Sequence, residues 1–370
     1  MPDFIGPDGM SFRPKARLLI DASTTDGSRY DARNISGTEV RMLRLGFEGA
    51  VNPHLAYVME VDFADSNAAV KSAYVAWRDN WRGTDVEFTL GNRLSERSID
   101  GSSSTDALPF MERNAVASAL APLKGFYGVG VIGKAFGPGW HLAAQVAGDE
   151  IANPGDARDT VTYLARGHWN PIRSSTAIAH VGAWGFYEEY SSGLTSLTRN
   201  SLWGGHFNDN VQVPLGVLPG PGNGAGYGAE LGGAIGPRWV LGEAGRREIS
   251  TLAGRVHVDA WAVTAGWLIT GEASPYSARS GAFGRIRPNQ PLSKGGLGSF
   301  ELVARYQQLD NSDAPLGGKG QEATIGLNWR LEEWMRLMFN LSHWEVVHRS
   351  GAFNGSDSGD TLAGRMQLTF

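Results

Sequence analysis

The chain has 370 residues, no cysteine, 19% charged residues and a formal net charge of −5 from 33 basic and 38 acidic side chains. A thiol nucleophile, a disulfide framework and any cysteine zinc site are excluded, and the charge balance gives no bulk signal for nucleic acid. No run of about 18 or more apolar residues occurs, so no transmembrane helix is available, while 50 Gly is roughly twice ordinary usage.

Met1-Pro2-Asp3-Phe4 opens without a basic or an apolar leader region, so an exported form would have had its signal peptide removed. Period-two segments bounded by turn residues follow at 13–22, 39–49, 54–63, 69–79, 84–92, 126–136, 139–148 and 158–170. Eight more follow at 175–189, 225–235, 239–249, 255–270, 297–309, 320–330, 334–346 and 360–370, which makes sixteen. Ala50-Val51-Asn52-Pro53, Phe136-Gly137-Pro138-Gly139, Asn170-Pro171-Ile172-Arg173 and Ile235-Gly236-Pro237-Arg238 are short turns after even-numbered segments. Long polar stretches at 23–38, 93–125, 190–224 and 347–359 follow odd-numbered ones. Residues 271–296 break that alternation, standing where a short turn is expected.

The final segment is the most informative. Leu362, Gly364, Met366, Leu368 and Phe370 share one parity, and Thr361, Ala363, Arg365, Gln367 and Thr369 share the other. A strand sends alternate side chains to opposite faces. A soluble edge strand would bury the apolar face in its own core, whereas an outer-membrane strand turns it to lipid and its polar face to water. The even count, the turn asymmetry and tryptophans near strand ends predict an all-β, closed antiparallel transmembrane β-barrel of about sixteen strands. It would span 1–370 as one domain of the bacterial outer membrane. Trp77, Trp81, Trp140, Trp169, Trp184, Trp239, Trp261, Trp267, Trp329, Trp334 and Trp344 are expected to form the interfacial girdles.

Parity also assigns the lumen. Ala16, Leu18, Ile20 and Ala22 face lipid, so Arg13, Lys15 and Arg17 form a basic ladder inside, and Arg44, Lys71, Arg166, Arg305, Arg336 and Arg365 face inward by the same rule. Guanidinium forks suit oxyanions, although a water-filled lumen tolerates any such charge. Asp21, Glu48, Glu60, Asp62, Glu87 and Glu301 also face inward, so parity alone does not decide selectivity. The histidines show no metal-ligand spacing, and neither a Gly-x-Ser-x-Gly elbow nor a phosphate-cradling loop occurs.

Arg44-Leu45-Gly46-Phe47-Glu48-Gly49, Met59-Glu60-Val61-Asp62-Phe63-Ala64-Asp65, Val70-Lys71-Ser72-Ala73-Tyr74 and Pro109-Phe110-Met111-Glu112-Arg113 resemble the phosphate-selective porin family, O and P. Leu268-Ile269-Thr270-Gly271-Glu272, Pro275-Tyr276, Gly281-Ala282-Phe283-Gly284-Arg285-Ile286-Arg287-Pro288 and Leu327-Asn328-Trp329 extend the likeness in the family's order. The resemblance implies a sixteen-stranded barrel, usually a homotrimer, with loop three (93–125) folded into the lumen around an anion-conducting pore. It also makes the long 271–296 segment a family feature.

The chain departs from the family's loop three. Gly91-Asn92-Arg93-Leu94-Ser95-Glu96 puts Leu94 where a lysine is expected and Glu96 where a proline is, and Asp106 stands where a basic residue is common. Met42 replaces one arginine of a usual pair. Ser103 and Ser104 keep the hydroxyl-rich stretch, Glu112 and Arg113 keep their motif, and Arg93 and Arg97 lie near enough to restore charge. The expected function is passive diffusion of small hydrophilic solutes, with anions such as phosphate or polyphosphate preferred. The alternatives are a non-specific or weakly selective general porin, and a plugged structural or surface-interaction barrel. Expected partners are membrane lipid, lipopolysaccharide and small anions; no enzyme activity, cofactor, metal or nucleic acid is expected.

Overall fold

A computed structural model describes residues 4–64, 67–123, 126–149, 151 and 159–370. Asp65, the first residue of the segment expected at 158–170 and the end of the stretch expected at 93–125 lie outside the described residues. So do Met1, Pro2 and Asp3. Among the described residues no helix is long and apolar enough to cross a membrane.

All sixteen expected strands are present. They are β1 (Ser11–Asp26), β2 (Ser36–Ala50), β3 (Leu55–Asp62), β4 (Ala69–Trp81), β5 (Thr84–Leu94), β6 (Tyr127–Gly137), β7 (Trp140–Ala147) and β8 (Val161–Trp169). The second half comprises β9 (Ala177–Glu189), β10 (Asn223–Ile235), β11 (Arg238–Thr251), β12 (Gly254–Leu268), β13 (Ser299–Asp310), β14 (Lys319–Arg330), β15 (Met335–His348) and β16 (Gly355–Thr369). Each pairs antiparallel with its sequence neighbours, and β1 pairs with β16 from Arg17↔Thr369 to Asp26↔Asp360, which closes the barrel. The two-residue strand Phe4–Ile5 lies against the start of β1. Among the described residues closure pairs each of the sixteen strands on both sides, so none is left as an edge facing lipid.

The alternation is inverted relative to a soluble protein. On β13 and β14, Leu302 and Ile325 are 44% and 61% exposed, while Glu301, Thr324 and Asn328 are buried. Apolar side chains therefore face outward and polar ones inward, as a membrane barrel requires.

Strands run further than their hydrophobic pattern. β1 and β2 meet across residues 27–35 rather than 23–38, and β15 and β16 across 349–354 rather than 347–359. The extensions are polar, with Thr24 Oγ1 2.6 Å from Ser36 Oγ and Thr25 Oγ1 3.2 Å from Thr361 Oγ1. Beyond the lipid band the ladder continues, but nothing forces apolar alternation on it. The β11–β12 connection is a tight hairpin closing at Thr251↔Gly254, on the side where the other connections are longer.

Residues 269–298 form a true long connection. They carry a small hairpin, Tyr276–Ser277 with Ala282–Phe283, and a 3-10 turn at Leu292–Lys294. Arg166 donates to the Ser280 and Gly281 carbonyls, and the His168 ring contacts the Ala278 carbonyl at 2.9 Å.

Three tryptophans depart from the girdle reading. Trp81, Trp169 and Trp267 are exposed near strand ends, but Trp184, Trp239 and Trp344 are buried. They lie on the inward parity of their strands, where Trp239 Nε1 donates to Glu301 at 3.2 Å and Trp344 Nε1 to Thr361 at 3.1 Å. Strand-end position alone does not say which face a ring occupies.

Between β5 and β6, the helix α1 (Ile99–Ser102) is capped by Ser98 and α2 (Ala115–Ala119) by Asn114. Ile99 and Phe110 pack with Trp239, Phe283, Ile286 and Val303, and Val116 and Leu120 with Trp184, Phe186, Trp203 and Leu215. The apolar core thus lies between inward wall residues and the segments following β5, β9 and β12.

Candidate functional site

Two cavities adjoin inside the barrel. The smaller, about 200 Å³, is lined by Lys15, Arg17, Glu60, Ser72, Tyr74, Arg93, Ser102 and Ser104 among others. The larger, about 520 Å³, lies toward the ends of β1 and β2 joined by residues 27–35, where Asp21, Ser23, Glu39 and Arg41 line it. Arg44, Leu94, Thr105, Arg113 and Tyr127 line both, and so form the junction.

Lining charge is uneven. Among the described residues the smaller cavity has five cations, Lys15, Arg17, Arg44, Arg93 and Arg113, against the carboxylate Glu60. The larger has seven, Arg41, Arg44, Lys71, Arg113, Arg199, Arg305 and Arg365, against Asp21, Glu39, Glu112 and Glu322. Strand parity could not show this, because it counted inward carboxylates that line neither cavity.

The residues singled out from the sequence fall into three groups. Arg13 sits at the rim, 52% exposed and 3.5 Å from Glu48. Lys15 Nζ is 2.9 Å from Glu48 and 3.6 Å from Glu60; Arg17 is 3.2 Å from Glu60 and donates to Ser104 Oγ at 3.1 Å. Arg44 donates from Nε to Asp62 at 2.9 Å and from Nη1 to Tyr127 at 3.2 Å. Arg93 donates to Glu87 and Thr89 and lies over the Tyr74 ring. Arg113 donates to the Asp100 and Ser103 carbonyls.

A second group holds residues 103–112 to the wall and to the long connection after β12. Arg365 grips Asp21 through Nε and Nη2 at 2.7 and 2.6 Å, and also reaches the Met111 carbonyl and Glu112. Arg336 donates to the Leu108 carbonyl at 2.8 Å, and Arg305 to the Glu112 carbonyl at 2.9 Å with the Phe110 ring beneath it. Ser103 Oγ accepts from the Phe283 amide at 2.8 Å, and Asp106 pairs with Arg285.

Of the singled-out arginines, the rim residue Arg13, the loop-holding Arg336, and a third set, Arg97 and Arg166, line neither cavity. Arg97 donates to Ser95 Oγ at 2.8 Å and stacks on Phe126, and Arg166 holds Glu230 by two bonds of 2.8 Å.

Burial alone would raise the carboxyls of Glu96, Asp106 and Glu112, yet neighbouring cations hold each down at about 2. The cations are Lys134 and Arg166 with His141 for Glu96, Arg17 and Arg285 for Asp106, and Arg41 and Arg365 for Glu112.

Two lining cations escaped the sequence reading. Arg41 occupies a β-bulge, because Leu19 pairs with Met42 and Ile20 with Val40. Lys71, which parity did find, occupies another, because Glu60 pairs with Ser72 and Val61 with Val70. A bulge re-aims a side chain out of the alternation, and both bulges place a cation on the larger cavity. The other missed cation, Arg199, comes from the connection between β9 and β10 and donates to the Ser118, Ala121 and Pro122 carbonyls. No local periodicity marks it.

The profile of a family described as phosphate-selective porin O and P matches residues 12–370. An uncharacterized protein of Caulobacter vibrioides is 26% identical over 394 residues, covering 100% of this chain and 76% of that protein. Among solved structures, the anion-selective porin from Comamonas acidovorans is similar at a TM-score of 0.59 and 13% identity, covering 98% of this chain and 100% of that one. OmpT of Vibrio cholerae gives 0.61 at 12% identity with 99% of each chain covered, and OmpF of Salmonella typhi 0.58 at 11% with 100% of each.

Proposed function

Since this chain belongs to the phosphate-selective porin O and P family, and is thus an outer-membrane channel, we propose that it passes small hydrophilic solutes with a preference for anions. The supporting observation is the lining charge among the described residues: five cations against one carboxylate in the smaller cavity and seven against four in the larger. In a narrow, poorly screened passage fixed charge acts more strongly than in bulk water. Leu94 and Asp106 make the preference weaker and less phosphate-specific than the family description implies.

Residues 93–123, the described part of the stretch expected at 93–125, serve as the constriction loop, folded inward within one barrel domain. This is supported by the bonds from Arg305, Arg336 and Arg365 to its backbone. We also propose a homotrimer, for which one form of the Vibrio cholerae OmpT structure offers a parallel. Lipid would cover the exposed apolar faces, with lipopolysaccharide in the outer leaflet.

Reversal potential in a potassium chloride gradient across a planar bilayer tests the central reading. Anion selectivity is expected; a cation-selective wild type would overturn it.

A further inference from the structure

We propose that the preferred solutes are small organic anions with an apolar body, such as aryl or branched alkyl monocarboxylates, rather than inorganic phosphate; this rests on the anion preference proposed above. The junction between the cavities carries it. There Leu94 and the ring of Tyr127 stand beside the guanidiniums of Arg44 and Arg113. Those guanidiniums supply field, and part of their donor set is already committed. Arg44 commits Nε to Asp62 and Nη1 to the Tyr127 hydroxyl, and Arg113 commits both terminal nitrogens to backbone carbonyls.

A phosphate dianion crossing a constriction must have its hydration shell replaced by donors. Beside the Thr105 and Tyr127 hydroxyls, this junction presents the aliphatic side chain of Leu94 to the passage, which can replace none of that shell. A carboxylate bearing a ring or branched chain loses less hydration and gains apolar contact. The apolar character continues into the larger cavity, where the cross-strand neighbours Leu19 and Met42 and the ring of Phe207 share the lining with the cations. Its volume, about 520 Å³, falls in the usual range for small-molecule sites, roughly 300–1,000 Å³.

The test uses the full-length protein in planar bilayers at pH 7.5, where benzoate and acetate are ionised. Benzoate is expected to exceed acetate in permeability relative to chloride. It should also reduce chloride current at a concentration about tenfold below that needed for phosphate, the lower end of the scale for one methylene in an apolar pocket. Leu94→Asn should remove the benzoate advantage over acetate, because it replaces the apolar contact at the junction with a polar amide. A wild type that is cation-selective in potassium chloride defeats the anion preference itself. A wild type that is anion-selective, yet treats benzoate no better than acetate or blocks more strongly with phosphate, overturns this proposal alone. An unchanged benzoate advantage in Leu94→Asn also overturns it. Should that variant fail to insert, the wild-type comparison of the three anions still decides.

Discussion

Arg365 shows how a single lumen charge couples wall and loop. Its guanidinium holds buried Asp21 on the neighbouring strand and reaches the Met111 carbonyl and Glu112. Arg365→Met would strand buried Asp21, while Glu112 would keep Arg41. Breaking a buried pair by removing one partner costs about 3–5 kcal/mol, so a lower unfolding temperature on heated gels and noisier single-channel current are expected. Leu94→Lys should raise the anion-to-cation permeability ratio, and joint neutralisation of Arg13, Lys15 and Arg17 should lower it, Arg17 and Lys15 contributing more than rim-exposed Arg13. Ratios that stay put in both variants would leave the ladder a solvated wall.

At the scale of elements, the two bulges matter most. Parity assigned Lys71 inward and left Arg41 out; both stand at unpaired positions, in β4 and β2, and both line one cavity. Arg41→Ala with Lys71→Ala should therefore reduce anion preference, whereas Arg246→Ala, whose side chain is 42% exposed and lines neither cavity, should not. Bilayer reversal potentials for the two variants make the comparison. Strand existence was legible in the sequence because each span must show lipid an apolar face. Strand length was not: the paired Thr and Ser extensions lie where no such demand operates.

For the whole molecule, the carboxyls of Glu96, Asp106 and Glu112 sit at about 2. A depressed folded pKa contributes stability that is fully present above the ordinary carboxylate range and lost as pH falls toward the folded value. The contribution of these three carboxyls, read as the difference in thermal stability between wild type and the joint variant Glu96→Gln, Asp106→Asn and Glu112→Gln, should thus hold between pH 7 and 5 and decline between roughly pH 4.5 and 2; a difference that already declines near pH 6 would contradict this assignment. In mild detergent, cross-linking is expected to yield trimers, and monomer alone would count against the assembly.

What the chain determined by itself is the barrel: strand number, order and inward parity follow from one physical demand, that alternate residues meet lipid and water. Arg17, Arg44, Arg305 and Arg365 were placed on the lumen by that demand alone. Which of the inward charges line a passage was decided only in three dimensions. Arg166 and Arg336 have the same parity as Arg44 but are taken up by Glu230 and by loop carbonyls. Arg199 enters from a connection that has no period, and Arg41 from a bulge visible only once β1 and β2 are paired. Long-range packing between loop and wall carries no signature in local sequence, because its partners are more than a hundred residues apart, as Arg365 and Met111 are.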